Sequence, residues 1–140
     1  MMTEGTHKSQ AVVKYGPAMQ AVAIIDQGIS DFYRSLIPKA YGVQSQAWPA
    51  HITIVRKGKE TPTNMDAWGK YEGRTIEFTY DTTIQSDETY FWLNAWSEEV
   101  GDIRQELGLP RYRDDSAFGG VSRQEYHITL GNVKNSQKKL

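Results

Sequence analysis

The sequence predicts one α+β domain with largely antiparallel pairing, arranged as two similar lobes. Three observations carry that expectation. A chain of 140 residues is the size of one ordinary domain, long enough to bury a real core. Segments of period-two alternation are interleaved with segments of helical period, and no linker or low-complexity block divides them. Each half also supplies a strand with the same word, His51-Ile-Thr53 and His127-Ile-Thr129.

Taken in order, residues 1–10 are polar and read as a loose leader, residues 11–134 as the domain, and residues 135–140 as a polar tail. MQAVAII (19–25) is short, apolar and rich in β-branched residues, which predicts a buried strand. SDFYRSLIPK (30–39) predicts a helix capped by Ser30 or Asp31, with Phe32, Leu36 and Ile37 at helical spacing and a stop near Pro38. AHITIV (50–55) is a strand, and TPTNMDAWGKYEG (61–73) reads as a short capped helix ending at Gly73. RTIEFTYD (74–81) and TYFWLNAWS (89–97) alternate around a polar turn and predict a β-hairpin. SEEVGDIRQELGLP (97–110) has Ser97 as N-cap, glutamates in the first turn, a stripe of Val100, Ile103 and Leu107, and a Gly-x-Pro stop. RYRDDSAFGGVSRQ (111–124) is a long loop, and EYHITLGNV (125–133) is the last strand. The predicted order is β-α-β-α, then β-β-α-β.

Composition narrows the chemistry. There is no cysteine, which removes disulfides, thiol nucleophiles and Cys-ligated zinc. A net charge of −1 supplies no basic field for DNA or long RNA, although a local cluster can still hold a small anion. The longest apolar run, Ala21–Ile25, is too short to span a bilayer, so no membrane partner is expected. MMTEGTHKSQ has no apolar signal core, and the expected compartment is a cytoplasm.

In a strand, residues i and i+2 share a face. His51 therefore projects beside Thr53, and His127 beside Thr129, the first pair opposed by Ala50, Ile52 and Ile54 and the second by Tyr126, Ile128 and Leu130. If the strands are close, two imidazoles and two hydroxyls converge. That set suits phosphodiester cleavage. One imidazole takes the proton of the attacking oxygen and the other gives one to the leaving oxygen. The hydroxyls donate to the non-bridging oxygens, where charge builds in the transition state. The set needs no metal or other cofactor. A single H-x-T word is commonly just a half-exposed His beside a β-favouring Thr. Two such words arise by chance in roughly one chain in a hundred of this length, and here they take two of three histidines.

Two H-x-T strands 76 residues apart, at 51 and 127, in this element order resemble the 2H phosphoesterase superfamily. The resemblance extends from about residue 12 to 133, with its specific signal in the two motifs. It implies a bilobal, pseudo-two-fold α+β fold with a central groove and metal-free phosphodiester cleavage. It also implies that His51 and His127 are general base and acid, in an order the sequence leaves open, and that Thr53 and Thr129 bind phosphate. Within that superfamily, VKYGPAMQ, DFYRSLIPKAY and WPAHITIVRKG are most similar to phage anti-CBASS nucleases. This likeness implies as substrate a small cyclic di- or trinucleotide immune signal, in the cytoplasm of a bacterial host. The 3′–5′ linkage would be attacked by the adjacent ribose 2′-OH, giving a 2′,3′-cyclic phosphate that is then hydrolysed. Two other readings share the groove: a 2′,3′-cyclic phosphodiesterase of RNA ends, and a non-catalytic nucleotide or RNA binder.

Further residues are candidates for binding. Lys14-Tyr15 offers either a cation and a stacking ring at the groove's edge, or an exposed Lys and a packing Tyr. Glu125 shares a face with His127 and either orients its imidazole or is a solvated strand-end carboxylate. Lys57, in phase with His51, is either a phosphate contact or an ordinary edge lysine. Trp48, Trp92 and Trp96 are expected in the core rather than as ligand platforms. The 111–124 loop, with Arg111, Arg113 and Arg123, is either a lid over an anion or a surface loop. His7, in the polar leader, is expected to be inert.

Overall fold

A computed structural model describes residues 5–111 and 126–134. The elements are β1 (Thr6–Tyr15), β2 (Ala21–Ile25), α1 (Gln27–Ser35), β3 (His51–Val55), β4 (Thr75–Asp81), β5 (Gln85–Ser86), β6 (Tyr90–Trp96), α2 (Glu98–Glu106) and β7 (Tyr126–Asn132). Every pairing is antiparallel, in the order β4-β1-β2-β3-β7-β6-β5. A further pairing of β4 with β6 closes six of the strands into a barrel.

The mixed α+β class and antiparallel pairing agree with expectation, but the element order differs. Both halves read β-β-α-β, as β1-β2-α1-β3 and β4-β6-α2-β7, with β5 a two-residue addition. Residues 6–10, expected to be a loose leader, form the start of β1. They ladder along β4 from Thr6 opposite Asp81 to Gln10 opposite Glu77. This stretch is polar on both faces and is held by backbone hydrogen bonds, so it carries no alternating signal. The helix expected over residues 61–73 is a single 3₁₀ turn, Met65–Ala67. Gly69 and Gly73, at φ +82° and +80°, turn the chain out of helix.

The two strands expected to form a simple hairpin touch only near their ends, at Thr79–Trp96 and Tyr80–Ala95. β4 pairs chiefly with β1, and β6 with β7. Helix α1 starts earlier than predicted. Asp26 is its N-cap and accepts from the Gly28 N–H at 2.9 Å, while Ser30 is buried within it. Its inward residues are Ser30 and Tyr33, and the predicted stripe residues Phe32 and Leu36 lie exposed.

Helix α2 forms as its sequence predicts. Ser97 Oγ accepts from the Val100 N–H, and Val100, Ile103 and Leu107 are buried. At its end Gly108 takes φ +81°. The Gly108 N–H donates to Gln105 O at 3.0 Å and the Leu109 N–H to Arg104 O at 2.9 Å, the paired bonds of a Schellman cap.

Alternation along the strands separates two faces. Ala11, Val13, Ala23, Ile52, Ile54, Phe78, Leu93, Ile128 and Leu130 are buried and share one core with Tyr33, Val100, Ile103 and Leu107 of the helices. The other face is half-exposed. Among the described residues no helix is long and apolar enough to cross a membrane.

Candidate active site

The two H-x-T strands are neighbours. β3 and β7 meet in register at Ile52–Ile128, both fully buried. Side chains alternate about that pair, so His51, Thr53, His127 and Thr129 all project from the opposite, half-exposed face. One step either way along an antiparallel register sets His51 across from Thr129 and Thr53 across from His127. Each imidazole thus has a hydroxyl two residues along its own strand and another across the ladder. On the outer sides, β2 sets Ile24 beside His51 and Val22 beside Thr53, while β6 sets Trp92 beside Thr129 and Asn94 beside His127.

The His51 ring is oriented by its own strand entry. Nδ1 lies 2.7 Å from the Pro49 carbonyl, which can only accept, so Nδ1 carries the hydrogen. In the neutral ring Nε2 then keeps its lone pair and can take a proton; once protonated, the same atom can donate. The entry is itself tied down, because the Ala50 N–H donates to Gln27 Oε1 and the Ala50 carbonyl accepts from the Ile25 N–H. His127 packs against Trp92, with ring centroids 5.3 Å apart, and the Trp92 indole N–H donates to Asn94 Oδ1 at 3.1 Å.

Two arginines hold the strands from the core side. Arg34 of α1 donates to Leu130 O at 3.2 Å, and Arg104 of α2 donates to Ile54 O at 2.7 Å. Each carbonyl belongs to the residue three beyond its motif histidine, so each half's helix anchors the other half's motif strand. Arg104 is wholly buried and also donates to Glu60 through two bonds, at 2.7 and 3.0 Å, and to Pro110 O. Burial pushes the Glu60 carboxyl up, but hydrogen bonds and charge from Arg104, with help from Arg56, hold it below the usual carboxylate range. Farther along β7, Gln44 exchanges two backbone hydrogen bonds with Asn132. A Cβ at Gly131 would lie 2.3 Å from Gln44 O, so only glycine permits this approach.

The remaining candidates fall in different places. Lys14 is exposed on β1, opposite Val22, and joins the His51 side of the face. Tyr15 points the other way: its ring meets Trp68 edge-on at 5.0 Å, and burial pushes its phenol pKa up. Lys57 does not share the face of His51. Ile54 and Val55 are both buried, the alternation breaks, and Lys57 sits exposed in the turn beyond β3. Glu125, Arg113 and Arg123 lie outside the described residues, with the rest of the 112–125 segment. Arg111 is engaged by Glu98 and Asp102 of α2.

The tryptophans correct the core expectation. Trp48 is 69% exposed, Trp96 is exposed at the end of β6, and Trp92 lines the site face. His7 is an exposed strand residue packed near Tyr80 rather than part of a leader. Arg104 was the main residue missed. Its signal was its place between Ile103 and Leu107, inside an otherwise apolar stripe, where a charge needs a buried partner. Glu60 carried no comparable signal.

Among the described residues no group of three or more His, Asp or Glu side chains converges as a metal would require. No family model, no curated protein and no solved structure matches the chain.

Proposed function

We propose that the protein is a metal-independent phosphodiesterase of the 2H type, acting on the 3′–5′ linkages of cyclic di- or trinucleotides as phage anti-CBASS nucleases do. The observation that supports this most is the β3–β7 register, which sets two imidazoles and two hydroxyls on one half-exposed face. On this reading the two β-β-α-β halves are the lobes of the 2H fold, and the face is its groove. One imidazole removes the proton of the ribose 2′-OH as that oxygen attacks phosphorus. The P–O5′ bond breaks, and the other imidazolium protonates the departing oxygen. Thr53 and Thr129 donate to the non-bridging oxygens. Water then opens the 2′,3′-cyclic phosphate with the two imidazoles in exchanged roles.

The test is an assay in excess EDTA against a 3′,3′-linked cyclic dinucleotide, a cyclic trinucleotide and an RNA ending in a 2′,3′-cyclic phosphate. Cleavage of the cyclic oligonucleotides is expected. Dependence on an added divalent cation would overturn the mechanism. Turnover confined to RNA ends would transfer the site to that substrate, and binding without turnover would make the protein a nucleotide sponge.

A further inference from the structure

The two halves of the site are not equivalent beside the motif strands. In the first half, Val22 and Ile24 stand next to Thr53 and His51. In the second half the corresponding positions, next to Thr129 and His127, are Trp92 and Asn94. There the space beside the histidine is occupied by an indole held by its own hydrogen bond to Asn94. Beside His51 the smaller aliphatic side chains leave a cavity of about 260 Å³, lined by Lys14, Val22, Ile24, Trp48, Pro49 and His51 among others. That is slightly below the ~300 Å³ at which pockets for whole small ligands begin, and it suits one part of a larger ligand.

We infer that this cavity is a nucleobase subsite, with Trp48 as its stacking wall, and that it fixes which side of the scissile phosphate faces His51. Its walls match the two chemistries of a nucleotide. Val22, Ile24 and Pro49 provide an apolar floor for a flat base. The Trp48 indole is exposed on one wall of the cavity, and an accessible indole is a stacking platform for a base. Lys14 brings an ammonium to the rim, on the side toward Thr53, where it can meet the phosphate attached to that base. Trp48 also adjoins Pro49, whose carbonyl fixes the His51 tautomer. A base stacked on Trp48 therefore braces the segment that orients the imidazole. Stacking on an aromatic wall tolerates every base, so the subsite selects for a base being present more than for its identity.

This inference rests on the phosphodiesterase reading for its catalytic meaning, but it can be tested without turnover. Tryptophan emission is titrated with adenosine and guanosine monophosphates, with a 3′,3′-linked cyclic dinucleotide and with ribose 5-phosphate. The proteins are the unsubstituted chain, Trp48→Phe, Trp48→Ala and Lys14→Gln. The nucleotides should quench the unsubstituted protein saturably, and Trp48→Phe should lose most of that quench while binding nearly as well by calorimetry. Trp48→Ala should weaken nucleotide binding about tenfold or more, within the range for loss of one stacked base. Ribose 5-phosphate should bind Trp48→Ala and the unsubstituted protein alike, and Lys14→Gln should weaken all the ligands. Equal nucleotide affinity in Trp48→Ala, or an equal loss for ribose 5-phosphate, would overturn the subsite. If nucleotides bind on Trp48 but no phosphodiester is cleaved, the subsite stands and the catalytic reading falls. If cleavage proceeds in Trp48→Ala with unchanged KM, the reverse holds.

Discussion

On the proposed mechanism, Thr53 and Thr129 each present a hydroxyl as a phosphate donor rather than serving as β-branched filler. Replacement by valine keeps the shape and β-preference of threonine while deleting the donor. Thr53→Val and Thr129→Val should each lower kcat about a hundredfold, the loss typical of one transition-state donor, with the melting temperature nearly unchanged. Serine at either position should restore most of the rate. A second residue-level expectation concerns Glu60. Burial pushes its carboxyl up, but Arg104 and Arg56 hold it below the usual carboxylate range. A carboxyl depressed in the folded state stabilises the fold fully above its unfolded pKa, and that contribution is lost as pH falls through the folded value. Between pH 5 and pH 3 the unsubstituted protein should therefore lose more of its urea midpoint than Glu60→Gln does. A Glu60→Gln variant with the same acid sensitivity would remove this ion pair from the pH response.

At the scale of elements, the site depends on helices that each grip the opposite half's motif strand, through Arg34 to Leu130 and Arg104 to Ile54. The α2 terminus sets where Arg104 sits, because its Schellman cap requires Gly108 at φ +81°. Gly108→Ala should destabilise by about 1 kcal/mol or more, since an L side chain is strained there. Its Cβ would also meet Thr63 Oγ1 at 1.8 Å. A denaturant midpoint equal to that of the unsubstituted protein would show that the cap does not hold α2.

The elements also show what could be read from sequence. Helix α2 carries cap, stripe and stop within its own residues, and it forms where those signals put it. α1 was displaced because Asp26, next to the strand end, outcompetes Ser30 and Asp31 as cap. The strand at residues 6–10 was illegible because it is polar on both faces and exists through pairing with β4, a partner about 70 residues away. The motif faces were legible from period two alone. Their mutual approach was not, because it depends on the long-range register at Ile52–Ile128.

For the molecule as a whole, the two β-β-α-β halves build one closed sheet, and the paired motif strands lie at the junction between them. The asymmetry that matters also appears only at this scale: Val22 and Ile24 open the His51 side, while Trp92 and Asn94 occupy the His127 side. No single residue signals it, since Trp48, Trp92 and Trp96 all read as core, whereas the fold leaves Trp48 exposed ahead of β3 and sets Trp92 on the site face.

On the proposed mechanism, His51 and His127 act together as one site rather than as two ordinary strand histidines. The decisive measurement is cyclic-dinucleotide turnover in EDTA for His51→Ala, His127→Ala and the double variant. Each single variant should lose at least about a hundredfold, and the double variant should fall little further, because residues acting as a unit are not additive. Turnover at the unsubstituted rate in either single variant, or losses that simply multiply in the double variant, would mean that the two histidines do not form one site.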